Sequence, residues 1–287
     1  MAIGPTCPNL EIGVLNVWSR RENQWLAEAG TNLLLLETWT RIPTMTSSIL
    51  SALILPILVA SVAGDQRAAE NRLMSSLLAN YNSMFIPVLN SSVPIVVNME
   101  TMLKKIVEYD YERGILTSLV WLDFQWMDEY LKWNPADYEG ITQIQLPPHK
   151  LWTPDIFLFN DVTGHFGDDL MRGRPYLVIE NNGDVRWIPP MVLKTVCEHD
   201  NQEESCDLKF GSWVYNAGQL DLRPNIDTMD LEDYTGSTLW DLSETRVFRK
   251  ETMYDCCVNP FVDITYTIRF HKKGKMSSMF KAKGWGL

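Results

Sequence analysis

Between Asp65 and Tyr81 the segment DQRAAENRLMSSLLANY places Leu73, Leu77 and Tyr81 on one helical face with Met74 and Leu78 beside them. That is the spacing of an amphipathic helix, so one short N-terminal helix is expected. Past Pro87 the repeat shortens. Runs of β-branched and aromatic residues are broken at Asn134-Pro135, Pro147-Pro148, Asn181-Asn182-Gly183 and Arg223-Pro224, with no long helical periodicity. This texture predicts an all-β sandwich. In SLVWLDFQWMDEYLKW, Val120, Leu122, Phe124 and Trp126 share one face of a strand, while Trp121, Asp123 and Gln125 share the other. Trp126 then belongs to the core. Trp121 is either a sheet-surface aromatic covered by a neighbouring strand or a binding residue, and the pattern does not separate the two.

Upstream of the helix, Ile42 to Gly64 carries no charge, and ILSALILPILVASVA (Ile49–Ala63) ends in the small residues Ser61 and Ala63. This predicts initiation at Met45, a signal peptide over residues 45–63 and cleavage near Ala63, with an uncleaved signal-anchor that includes Arg41 as the alternative. Residues 1–44, which contain Trp18, Trp25 and Trp39, form a leader of doubtful status. Loss of the leader removes Cys7 and leaves Cys197, Cys206, Cys256 and Cys257, an even number that suits two disulfides in a secretory context. The sequon Asn90-Ser91-Ser92 agrees and marks Asn90 for glycosylation.

Composition narrows the partners. The 287 residues are 46% apolar and 21% charged, ordinary for a globular chain. Against 36 acidic residues there are 25 basic ones, a net charge of -11 that argues against nucleic acid and favours a small cation. Eleven tryptophans, ten tyrosines and ten phenylalanines are enough for an aromatic-lined site. There is no Gly-rich phosphate loop, no nucleophile elbow and no His or Cys spacing suited to zinc, so neither catalysis nor a cofactor nor a metal is expected. The basic end HKKGKMSSMFKAKGWGL, residues 271–287, reads as a solvated tail.

The segments WNPADYEGI, LWTPDIFLFN, LKFGSWVY and YDCCVNPFVDITY, in that order, resemble the extracellular ligand-binding domain of nicotinic acetylcholine receptor subunits, within the pentameric Cys-loop superfamily. The resemblance runs from about Gln66 to Phe270. It implies a neurotransmitter-gated channel ligand-binding domain over 64–270, folded as an immunoglobulin-like β-sandwich with one short N-terminal α-helix. The adjacent cysteines resemble the mark of an α-type subunit, which supplies the principal face of an agonist site. By resemblance that face comprises Phe159, Trp213, Tyr254, Cys256, Cys257 and Phe261, with Trp213 as its central platform. Trp121, Asp123, Val178, Arg186 and Ile188 fall on the complementary face, offered to a neighbouring subunit. Trp126, Trp133 and Trp152 are assigned to packing. The implied disulfides are Cys197–Cys206 and Cys256–Cys257, the latter a tight ring that stiffens its turn, because adjacent Cα atoms stand about 3.8 Å apart. The implied ligand is an acetylcholine-like cation. A quaternary ammonium has no N–H to donate, so aromatic faces are what can hold it. Each chain provides half a site, so identical or homologous subunits are implied, in a pentamer.

Three features depart from the family pattern. Phe159 and Phe261 stand where tyrosine is usual. Cys197 and Cys206 enclose only the eight residues EHDNQEES, where the family has thirteen. After Arg269-Phe270-His271 no apolar run of pore-helix length follows. The expectation is therefore a secreted, extracellular binding protein resembling the molluscan acetylcholine-binding proteins. The alternative is a truncated receptor subunit that reaches the cell membrane through partner subunits.

Overall fold

A computed structural model describes residues 66–166, 175–200 and 203–274. The leader and the signal segment lie outside the described residues, as does most of the basic tail. The expected helix, α1, covers residues 66–78, and Ala69 and Leu73 on its apolar face are wholly buried. Burying one leucine of this kind is worth about 2 kcal/mol. Where the helix ends, Tyr81 takes over its attachment. Its hydroxyl donates to Asp128 Oδ2 at 2.6 Å and accepts from the Trp152 N–H at 3.1 Å.

Among the described residues eleven strands follow, in two layers. The first layer is built on β1 (Ile95–Asp110) and β2 (Ile115–Met127), an antiparallel pair. Beside β2 lie β6 (Asp184–Trp187), then β5 (Leu177–Glu180), then β3 (Gln143–Leu146). The parallel strand β9 (Leu220–Pro224) closes the other edge against β1. The second layer runs β10 (Trp240–Thr252), β11 (Phe261–Lys272), β8 (Glu203–Ser212) and β4 (Ile156–Leu158). β7 (Pro190–Asp200) belongs to both layers, since residues 190–196 pair with β2 while residues 197–200 pair with β8. At that crossing Cys197 and Cys206 face each other in register and are disulfide-bonded, as expected. β11 extends through Lys272, two residues into the segment assigned to the tail.

The alternation in β2 resolves as read: Val120, Leu122, Phe124 and Trp126 are buried. Trp126 meets Trp152 edge to face at 5.8 Å, and Phe124 stacks on Trp187 at 5.7 Å. Across the sandwich the Tyr266 hydroxyl donates to the Met99 carbonyl at 2.9 Å, joining the layers through a buried hydrogen bond. Trp133 is buried too, its indole N–H donating to the Ile141 carbonyl at 2.6 Å. The turn between β5 and β6 requires its glycine. Gly183 has φ +93°, and a Cβ there would stand 2.5 Å from the Asp128 carbonyl oxygen.

Candidate functional site

The residues expected on the principal face lie on the β8 layer and its adjoining loops, and those expected on the complementary face lie on the β2 layer. On the β8 layer, the strand leads directly into Trp213, whose N–H donates to the Asp155 carbonyl at 3.3 Å. Asp155 holds this corner from below: Ser212 Oγ donates to its Oδ1 at 2.6 Å and the Val214 N–H to its Oδ2 at 2.8 Å. Burial pushes the Asp155 carboxyl up, against the pull of those hydrogen bonds. The corner presents the Trp213 ring outward, 56% exposed. That is unusual for so large an apolar surface and suits a ring kept for a ligand.

Around Trp213 stand Phe159 at 6.1 Å and Phe157 at 5.7 Å between ring centroids, both tilted. Phe159 lies over Gly211, where a Cβ would meet its ring carbons at 2.6 and 2.8 Å. A side chain at position 211 would push Phe159 off its seat. Tyr254 and Phe261 form a second ring pair, edge to face at 5.9 Å, at the base of the β10–β11 hairpin. This hairpin is tied to the loop after Trp213, because the Ala217 N–H donates to the Pro260 carbonyl at 2.8 Å. Behind both, Lys209 pairs with the largely buried Asp263 at 3.3 Å. At the tip, the Cys256 and Cys257 sulfurs are 2.9 Å apart. They are in contact, the arrangement from which the expected bond between them would close.

On the β2 layer, Val178, Arg186 and Ile188 line one cavity of about 420 Å³, together with Gln125, Tyr176 and Asp184. Val178 and Arg186 are cross-strand partners, and Arg186 also faces Gln125. Asp123 sits beneath Arg186. It is 3% exposed, and its two carboxylate oxygens accept from Arg186 Nε at 3.0 Å each, with Arg186 Nη2 closer still. Asp123 therefore orients Arg186. The same hydrogen bonds hold the guanidinium firmly protonated. Trp121 lies outside this cavity and is 41% exposed.

Sequence reasoning passed over Phe157, Asp155, Gly211 and Lys104, the last of which places Nζ 4.1 Å from the Trp121 ring centroid. The alternation of IFLF could have flagged Phe157. Nothing local could have flagged Lys104, which reaches Trp121 only through the pairing of β1 with β2.

An aromatic cluster thus stands at a corner of one layer of the sandwich, and an exposed tryptophan and an arginine oriented by a carboxylate stand on the other. Residues 70–273 match the family described as the neurotransmitter-gated ion-channel ligand binding domain, and the chain belongs to that family. It is 34% identical over 222 residues to the acetylcholine receptor subunit alpha-type acr-16 of Caenorhabditis elegans, covering 76% of this chain and 44% of the relative. It is 34% identical over 211 residues to the neuronal acetylcholine receptor subunit alpha-3 of Rattus norvegicus, covering 72% and 42%. With the acetylcholine receptor subunit alpha-L1 of Schistocerca gregaria it shares 33% over 216 residues, covering 70% and 38%. The chain thus spans under half the length of the curated relatives it matches. The family is one of receptors for transmitters and not of enzymes.

Proposed function

We propose that this domain binds acetylcholine or a similar cationic transmitter in an aromatic box at the interface between subunits. The observation that carries the reading is the outward-facing Trp213, held by the Asp155 corner and flanked by Phe157 and Phe159. A ring so placed offers its negative face to a cation that cannot be hydrogen-bonded. Tyr254 and Phe261 supply the second wall, and closure of Cys256 and Cys257 into a disulfide stiffens the tip above it. The complementary wall is Trp121, Val178, Arg186 and Ile188 of a neighbouring subunit. Because the two half-sites stand on different layers of one chain, the reading calls for an oligomer, a pentamer by kinship.

We further propose that the domain works as a secreted, extracellular binding protein, consistent with the signal-like segment at 45–63 and the sequon at Asn90. A second reading, a subunit of a ligand-gated cation channel, is favoured by the curated relatives, which carry receptor-subunit names and of which the matched segment makes up 44% and 42%. Expression in a secreting cell separates the two: pentamer in the medium by size exclusion with light scattering supports the first, and retention at the membrane with partner subunits supports the second.

Calorimetry with acetylcholine on the assembled protein tests the box. Trp213→Ala is expected to abolish detectable binding. Phe261→Tyr, which restores one hydroxyl, is expected to tighten it by roughly 2- to 12-fold, the worth of one hydrogen bond. Binding unchanged by Trp213→Ala would refute the reading.

A further inference from the structure

The complementary tryptophan already has a cation on it. Lys104 Nζ stands 4.1 Å from the centroid of the Trp121 ring and 2.7 Å from Asp233 Oδ2. Lys104 is the extra residue of an irregularity in β1, where Leu103 pairs with Val120 and Lys105 with Leu119. Such a bulge re-aims a side chain, here across the sheet onto Trp121. The segment bearing Asp233 is fixed to the same point of β1, since the Leu103 N–H donates to the Asp230 carbonyl and the Thr235 N–H to the Lys104 carbonyl. Lys104 is 7% exposed while Trp121 is 41% exposed. The ammonium therefore backs the ring from the protein side and leaves the solvent side open. An ammonium buried this far needs compensation, and the carboxylate and the ring supply it.

We propose that Lys104 is a specificity-determining residue: its ammonium, balanced by Asp233, draws on the same ring quadrupole that a ligand cation would use. This inference rests on the reading that Trp121 borders a cation site. A ring that already faces one cation attracts a second less, because the two positive charges repel through it. The balance then depends on Asp233. With its charge present, the Lys104 field is largely cancelled; without it, the complementary wall becomes repulsive to cations. The ligand that fits best places its ammonium against Trp213 and an uncharged or hydrogen-bond-accepting end toward Trp121 and Arg186.

The test compares acetylcholine with its uncharged carbon isostere, 3,3-dimethylbutyl acetate, by calorimetry on the assembled full chain. Lys104→Met is expected to tighten acetylcholine by about three- to tenfold, a modest cation–π increment, and to leave the neutral isostere within about twofold. Asp233→Asn is expected to weaken acetylcholine by a similar factor and again to spare the isostere. Lys104→Arg keeps the charge on the ring and is expected to stay near the wild type. A purely structural tether would weaken both probes in both variants, and that result overturns the inference. Should Lys104→Met fail to fold, Asp233→Asn decides alone, its carboxylate being at the surface: unchanged acetylcholine affinity sinks the idea. If Trp213→Ala abolishes binding but Lys104→Met is neutral or weaker, only this inference fails. Wild-type protein that binds neither probe, or binding indifferent to Trp213→Ala, overturns the functional reading and this inference with it.

Discussion

Gly211→Ala perturbs the site through shape alone. The added methyl would stand 2.6 and 2.8 Å from Phe159 Cε2 and Cζ and 3.0 Å from the Val262 carbonyl oxygen. Carbon atoms rest at about 3.5–4.0 Å, so the Phe159 ring must retreat by about 1 Å. Val262 sits in β11, paired with Glu251 of β10, so its carbonyl cannot yield as easily. Phe159 can, being 42% exposed. Overpacking of this kind costs about 1–3 kcal/mol, and the mobile ring places the expected loss toward the lower end. Urea denaturation of the wild type, Gly211→Ala, Phe159→Ala and the double variant measures how much of that cost belongs to Phe159. A coupling of about 1 kcal/mol is expected, with Gly211→Ala cheaper once the ring is gone. The displaced ring also leaves its 6.1 Å station beside Trp213, so acetylcholine binding should weaken in Gly211→Ala. An equal stability cost in both backgrounds would show that Phe159 does not fill the space over Gly211, and the described wall of the box would be wrong.

Burial pushes the Asp128 carboxyl up to about 6, only partly offset by hydrogen bonds from Tyr81 and the Tyr130 N–H. A raised folded-state pKa means that this group's contribution is fully present below about pH 4 and is lost as pH rises through 6, a fall of about 3 kcal/mol for two pH units. Urea denaturation between pH 4 and 7 should show this slope in the wild type and lose it in Asp128→Asn; identical slopes would assign it to other groups. Peptide mapping of secreted protein should find Cys197 linked to Cys206 and Cys256 linked to Cys257, whose sulfurs are already in contact. A Cys197–Cys256 peptide would overturn the site.

Local pattern carried the fold. The period-two run of β2 and the i, i+4 spacing of Leu73 and Leu77 each report the side a residue faces, and burial rewards that directly. Motifs carried the principal face, because Trp213, Tyr254 and Phe261 lie within a few residues of the segments that bear the resemblance. The pairing of Asp123 with Arg186 was not legible, for a definite reason. Alternation placed Asp123 outward, correctly, but an outward carboxylate becomes a buried one when an arginine from β6 closes over it, and a strand cannot announce its neighbour's side chain. The same limit hid Lys104, seventeen positions from Trp121 in sequence and in contact with it only through a bulged pairing register.

The two faces therefore differ in kind as well as in location. The principal face is built from short-range pieces: a corner after β8, a three-residue strand β4 and one hairpin, held together by Asp155 and the Ala217–Pro260 hydrogen bond. Phenylalanine in place of tyrosine leaves that wall apolar, with cation attraction coming from ring faces and little directional bonding. The complementary face is built from long-range pieces and is polar, with Arg186 clamped by Asp123 and Lys104 clamped by Asp233. On the proposed reading, one wall selects for positive charge and the other sets how much of it is tolerated. On the same reading, discrimination among cationic ligands depends more on the complementary wall, where two fixed positive groups and their carboxylates can be shifted one charge at a time.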